Sequence, residues 1–250
     1  MATRDQFYMA LQFLTRLPIP SNVEHIDDEF ARSARFYPAI GLVVGCAVAL
    51  VYAFACIAVS HVVAVVLSII ASIAITGALH EDGLADSADG LFGGYERERI
   101  LEIMRDSAVG VFGILALLGV FFLKFSALSQ MWFWDTIWII VSAHVISRHA
   151  MVEVIHRYDY ARAETAKFAR PEVGDEDLTY ARLWTAATLV AALFLVSFMP
   201  VLLGVVLAAV GVALLARAFV SKIGGYTGDC LGATQQLAEV AFLIGAVAWL

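Results

Sequence analysis

From residue 36 to residue 79 the chain carries no charged side chain of either sign, and no Lys or Arg lies between Arg35 and Arg97. An apolar stretch of that length has few folds open to it. A helix needs about 20 mostly apolar residues to cross a hydrocarbon core of roughly 30 Å, and in lipid the backbone must satisfy its own polar groups. The run is long enough for two such helices, expected at 36–58 and 62–79 with a break near Ser60 and His61. Two more fit between 108 and 147, parted near Ser129 and Gln130, and two between 183 and 216, where Pro200 marks a turn that a helix interior resists. A shorter seventh run closes the chain at 237–250. Of the 250 residues 61% are hydrophobic and 16% charged, against about 45–50% and about 25% in soluble domains. The fold class is therefore all-α, a polytopic integral membrane helix bundle of six to seven spans.

Short turns at 59–61, 130 and 200 then alternate with long polar segments at 1–35, 80–107, 148–182 and 217–236. All the long segments fall on one side, and they hold every Lys and Arg of the chain except Lys124. Positive charge accumulates in cytoplasmic loops, so that side is expected to face the cytoplasm, with the protein multi-pass in the cell inner membrane. The chain reads as one membrane-embedded catalytic domain, 1–250. Residues 1–35 form a cytoplasmic interfacial segment, with Phe7, Leu11 and Leu14 at helical spacing beside Arg4 and Arg16, stopped by Pro18 and Pro20. Residues 80–107 and 217–236 are the cytoplasmic active-site segments, and 148–182 is a cytoplasmic connection. The N-terminus shows no cleavable leader pattern. Trp132, Trp134 and Trp138 read as interfacial belt residues.

The net charge of −7 is locally placed, because eight of the 23 acids lie between 80 and 107. Glu81, Asp82, Asp86 and Asp89 stand within nine residues of each other, directly after the apolar run. If 80–92 is helical, Asp82, Asp86 and Asp89 fall at i, i+4 and i+7, within about 60° of the circumference. Carboxylates this close repel one another, so the face is unfavourable empty and favourable around a divalent cation. Oxygen-only ligands point to a hard ion, Mg²⁺ or Mn²⁺. The neighbouring glycines and alanines leave room for a polyanion such as a diphosphate. Glu81 and Asp229 join the candidate metal ligands. A solvated loop would mix in cations, and none occurs here before Arg97.

Basic residues follow at Arg97, Arg99 and Arg105. Arg97 and Arg99 alternate with acids as surface pairs do, whereas Arg105, with Asp106 and Ser107 beside the next span, is the better phosphate contact. A second constellation lies at 224–239, where Gly225, Thr227 and Gly228 surround Asp229 and the segment opens into the last span. Exposed amides at a helix start suit an anion. Glu239, entering an apolar run, is costly unless partnered, and could complete the metal site or face a water-filled cleft. His80 could act as a base; His144, His149 and His156 read as structural. Cys46 and Cys56 lie about 15 Å apart along one helix, too far for a disulfide, and Cys230 stands alone. No nucleic-acid partner is expected, and assembly into a homo-oligomer is left open.

Five strings, FLTRLPIP (13–20), RFYPAIG (35–41), GALHEDGLADSADGLFGG (77–94), RERILEIMRDSAVGVFGILAL (97–117) and GGYTGDCLGA (224–233), closely resemble the cobalamin synthase family, also called adenosylcobinamide-GDP ribazoletransferase, in the same order over nearly the whole chain. The resemblance implies a Mg²⁺-dependent membrane transferase. Its reaction would join adenosylcobinamide-GDP to α-ribazole, or to its 5′-phosphate, with release of GMP. The family's acidic motif falls on Asp82, Asp86 and Asp89, its basic residue with Asp-Ser on Arg105, Asp106 and Ser107, and its glycine-rich motif on Asp229. Arg105 stands where lysine is commoner.

The residues themselves offer carboxylates for a metal and no credible Ser, Cys or His nucleophile, as phosphoryl transfer allows. Three rivals share part of the pattern. A CDP-alcohol phosphotransferase has a related Asp-Gly opening, but its later spaced acids do not line up here. A membrane prenyltransferase carries two similar aspartate-rich motifs, where this chain has the single Asp229 in its second. A corrinoid transporter would place its acids at the bilayer midplane and show an inverted repeat.

Overall fold

A computed structural model describes residues 2–20, 23, 27–161 and 172–249. The helices are α1 (Ala2–Leu14), α2 (Asp27–Arg32), then a 3₁₀ turn (Ser33–Phe36) leading into α3 (Tyr37–Ala58), α4 (His61–Thr76), α5 (Leu79–Gly93) and α6 (Arg97–Ile103). They continue with α7 (Val111–Leu128), α8 (Phe133–Arg157), α9 (Asp175–Leu195), α10 (Phe198–Ile223) and α11 (Gly228–Val247). No β-strand occurs among the described residues beyond one isolated bridge, Tyr160 to Tyr226. Six helices are long and apolar enough to cross a membrane, and the bent pair α4 and α5 brings the number up to seven.

Two helices form the centre. In the spanning windows of α8 and α11, 72% and 78% of residues are buried, against 22% for α7 and α10 and 28% for α9. The outer helices instead turn large apolar side chains outward, such as Ile57 at 80% and Phe194 at 85% exposed. That is the inverse of a water-soluble surface and suits acyl chains. Lipid supplies no hydrophobic drive between helices, so close backbone contact must hold them together. Gly41 and Gly45 provide it between α3 and α8, where a Cβ on Gly41 would stand 2.4 Å from the His144 carbonyl oxygen. Gly245 does the same between α11 and α10, against the Leu203 carbonyl at 2.5 Å.

Several expected boundaries move, each for a local reason. The second span stops at Thr76, because Gly77 (φ 66°) and Ala78 (φ 58°) are both left-handed, and the chain turns through 88° into α5. The acidic segment is thus a helix, as its carboxylate spacing required, and it folds back against the bundle. Pro200 is not the turn: Val196 and Ser197 are extended, and Pro200 sits in the first turn of α10, where a missing N–H costs nothing. The last helix begins at Gly228, nine residues before the apolar run that announces it, so 217–236 is helix at both ends. α8 likewise runs ten residues past Ser147 to Arg157, which shortens the 148–182 connection. Arg162, Lys167 and Arg170 of that segment, and Leu250, lie outside the described residues.

The N-terminal helix is packed into the protein more than laid on a lipid surface. Met9, Ala10 and Leu14 are buried, and Phe7 meets Phe36 edge-on at 5.8 Å. The strand of chain after it covers the bend, with the Arg16 N–H donating to the Ile75 carbonyl at 2.7 Å. Alanine at position 77 would hold a Cβ in the left-handed region and press on the Arg16 side chain, 2.2 Å away. Gly77→Ala is therefore expected to cost about 1–2 kcal/mol, measured as a lower unfolding midpoint in detergent; an unchanged midpoint would show that the bend is not held in this conformation.

Candidate active site

The bend at Gly77 and Ala78 starts α5 with Glu81 and Asp82 in its first turn, where carboxylates are favoured by the helix dipole. Asp82 is exposed and Asp86 half-buried, one turn apart on the same face. Asp89 is in register with that face but is engaged by backbone donors. It is 8% exposed, and its two oxygens accept from the Gly110 N–H at 2.7 Å and the Gly113 N–H at 2.9 Å. Those amides open α7, so Asp89 satisfies donors that a helix start leaves orphaned and ties α7 to α5. Asp89→Ala would strand both amides and is expected to cost about 1.5–3 kcal/mol. The check is an unfolding midpoint measured together with the Mg²⁺ dependence of turnover; a shifted Mg²⁺ midpoint with stability intact would return Asp89 to the metal set.

The same stripe of α5 carries Gly83, Asp86 and Gly90. A Cβ on Gly83 would lie 2.8 Å from the Asp229 carbonyl oxygen, and one on Gly232 would lie 3.1 Å from the Gly83 Cα and the His80 carbonyl oxygen. The first turns of α11 therefore rest backbone on backbone against α5. At the other end, Met104 and the Ile100 carbonyl pack on Gly90. Asp86, one turn from each crossing, stands between the start of α11, which brings Asp229, and the end of α6, which brings Arg105. Sequence positions almost 150 residues apart thus meet at this crossing, the Asp229 backbone against Gly83.

Asp229 is half-buried and accepts from the Thr227 hydroxyl at 3.3 Å. Thr227 is fully buried and caps α11, its hydroxyl accepting from the Cys230 N–H at 3.3 Å. Gly228 is exposed at the first position of α11, leaving the helix N-terminus open toward the site. Gly225 lies elsewhere: it packs on the Asp159 carbonyl, beside the Tyr226 N–H that donates to that oxygen at 3.0 Å. Its work is to join 224–227 to the end of α8. Arg105, Asp106 and Ser107 are exposed in the turn between α6 and α7, where the Asp106 carboxylate accepts from the Ala108 N–H at 3.1 Å. Arg99 makes the expected surface pair, with Glu102 at 2.6 Å. Arg97 does more, donating to the Ile223 carbonyl at 3.0 Å and the Ala161 carbonyl at 2.7 Å.

Glu81 turns the other way, about 100° from Asp82 around the helix. Its Oε1 accepts from Gln236 Nε2 at 2.9 Å, which takes it from the metal face into the bundle. From there a buried polar chain runs inward: Gln236 donates to Gln235 at 2.9 Å, and Gln235 to Glu239 at 2.6 Å and to the Ser147 hydroxyl at 3.1 Å. Glu239 pairs with Lys124 at 2.6 Å and lies 3.8 Å from Arg148, whose guanidinium also meets His144 Nδ1 at 2.8 Å. His80 is 1% exposed beside this chain, which gives it no opening toward the exposed acids.

Glu239 is therefore the counter-ion of Lys124, and it lines a cavity inside the bundle, as the cleft alternative expected. Arg148, counted among loop cations in the sequence, is 1% exposed inside α8. The lone basic residue in a span, Lys124, and the costly acid, Glu239, were the two signals from which this pairing could have been read. Gln235, Gln236 and Arg148 gave none. Among the described residues no three Asp, Glu, His or Cys side chains close on one point. Asp82, Asp86 and Asp229 carry oxygen donors alone, the chemistry a hard divalent cation takes.

Known proteins resemble this chain over nearly its whole length. Residues 6–247 match the family described as cobalamin-5-phosphate synthase. An adenosylcobinamide-GDP ribazoletransferase of Shewanella amazonensis is 37% identical over 249 residues, covering 98% of this chain and 96% of that protein. One from Leptothrix cholodnii is 42% identical over 97% of this chain and 94% of its own, and one from Ralstonia nicotianae 39% over the same shares. No solved structure matches the chain.

Proposed function

The chain belongs to the cobalamin-5-phosphate synthase family, and from that premise we propose that it joins adenosylcobinamide-GDP to α-ribazole, or to its 5′-phosphate, releasing GMP in the last assembly step of the cobalamin nucleotide loop. The observation that carries the reading is the crossing of α5 and α11 at Gly83 and Gly232, which lays the start of α11, where Asp229 stands, backbone on backbone against the helix that bears Asp82 and Asp86. On this reading Asp82, Asp86 and Asp229, with Arg105 and the open start of α11, serve a diphosphate.

Asp82 and Asp86, with Asp229, are the residues that would hold Mg²⁺. When bound, that ion neutralises diphosphate charge and favours in-line displacement. Arg105 and the amides at Gly228 take the phosphate oxygens. The 3′-hydroxyl oxygen of α-ribazole attacks the phosphorus attached to cobinamide, the bond from that phosphorus to the GMP oxygen breaks, and the hydroxyl proton passes to a carboxylate at the start of α5. GMP departs with the bridging oxygen. The excess of Lys and Arg in the long segments favours a site facing the cytoplasm from the inner membrane.

Membranes containing the protein are expected to convert adenosylcobinamide-GDP and α-ribazole to adenosylcobalamin and GMP in equal amounts. Release of inorganic diphosphate would instead favour a prenyltransferase-like reaction, and uptake of cobinamide without conversion a transporter.

A further inference from the structure

A cavity of about 350 Å³ lies between α3, α4, α7, α8 and α11, with the first turn of α5 at one end. Its walls are apolar: Ile69 and Ile73 of α4, Phe121 and Leu128 of α7, Ile140 of α8 and Leu243 of α11. Lys124 and His144 also reach it, but Lys124 is committed to Glu239 at 2.6 Å and His144 faces Arg148 at 2.8 Å. Two acceptors remain unused. Glu81 Oε2 and Gln236 Oε1 are buried without a donor, and both residues line the cavity. Gln236 is 2% exposed. Buried acceptors are almost always paired, so two on one cavity call for a molecule that brings donors.

An occupant must then be apolar along most of its length and carry hydroxyl or N–H donors at one end. Of the groups in the proposed reaction only one matches. An acyl chain lacks donors, and guanine would set its polar edge against leucine and isoleucine. A corrin ring exceeds the volume. The dimethylbenzimidazole base of α-ribazole has two methyl groups and no N–H, while its ribose supplies hydroxyl donors. A volume near the lower end of ordinary ligand pockets, about 300–1,000 Å³, suits a single nucleoside. The donor end also falls where the chemistry needs it, because Glu81 precedes Asp82 on the same helix turn.

We propose that this cavity is the acceptor-nucleoside subsite, with the base of α-ribazole between α4 and α7 and its ribose hydroxyls on Glu81 and Gln236. The inference rests on the reaction proposed above and adds where the second substrate sits. The two substrates then meet at the first turn of α5, the diphosphate at Asp82 and the ribose hydroxyls at the adjacent Glu81.

The test uses the full chain in nanodiscs, with labelled α-ribazole in equilibrium binding and both substrates in steady-state kinetics. Ser72→Leu narrows the cavity from α4 without stranding a charge, and Gln236→Leu removes one acceptor. Each is expected to weaken α-ribazole binding and raise its KM by about tenfold or more, leaving the KM for adenosylcobinamide-GDP within about twofold. Wild-type α-ribazole binding in both folded variants would overturn the subsite. So would an equal rise in both KM values, which marks a structural effect, or an acyl chain retained in the cavity while α-ribazole binds undiminished. A wild-type protein that binds α-ribazole in a Ser72→Leu-sensitive manner yet releases no GMP would overturn the reaction and leave the subsite standing.

Discussion

Asp86→Asn is expected to lower GMP release by about 10²–10³-fold, the scale on which removing one preorganised electrostatic contact acts in charged transition states. The size follows from position. Asp86 is flanked on one stripe of α5 by the Gly83 crossing, which brings Asp229, and by the Gly90 crossing, which brings Arg105. An amide keeps the shape and hydrogen-bonding capacity of the side chain and removes only the charge, so the fold should survive. Asp82→Asn should act in the same direction, because the two residues are one turn apart. Protein abundance in the membrane and elution as a single species in detergent check the fold, and the rate with saturating Mg²⁺ checks the chemistry. Full activity in either variant would remove the metal assignment, since an asparagine amide holds a divalent cation far more weakly than a carboxylate.

Glu239→Leu is expected to be the most destabilising single change, costing about 3–5 kcal/mol by leaving buried cations without their counter-ion. Lys124 and Glu239 are each 7% exposed in their side chains and 2.6 Å apart. Arg148 has other partners, His144 and Ser147, but loses its nearest negative charge. The measurement is the yield of monodisperse protein and its unfolding midpoint. Pairing Lys124→Met with Glu239→Gln should recover much of the loss, because removing both charges of a buried pair is far milder than removing one. A double variant no more stable than Glu239→Leu would show that the charges do not compensate each other.

The bundle was legible because lipid permits little else: long apolar runs must become helices, and the placement of cations orders their ends. Where the reading missed, a local backbone feature or a long-range contact decided the outcome. Pro200 looked like a turn because proline breaks helix interiors, yet it is equally at home in a first turn, and nothing in the sequence separates the two. Gly228 begins α11 although polar residues follow it, because Gln235, Gln236 and Glu239 have partners in Ser147, Glu81 and Lys124 on other helices. Periodicity on one helix cannot see that.

The candidate site divides in the same way. The spacing of Asp82 and Asp86 gave their common face directly, and helical geometry alone turned Glu81 aside. Asp89 has the right spacing too, but the amides of Gly110 and Gly113 claim it, a contact between residues 21 and 24 positions apart that no helical wheel contains. Asp229 was paired with the α5 acids by chemistry, and the glycine contact at Gly83 and Gly232 supplies the physical means. The buried chain from Glu81 to Lys124 was the least legible, since its members sit on α5, α7, α8 and α11 and only the fold assembles them.

The most direct measurement is GMP release by the purified protein in nanodiscs, given adenosylcobinamide-GDP and α-ribazole while Mg²⁺ is removed by chelation and then restored. The account predicts GMP equal to the corrinoid product, loss of turnover on chelation and its return with Mg²⁺. Turnover indifferent to chelation, or release of any nucleotide or phosphate other than GMP, would contradict it.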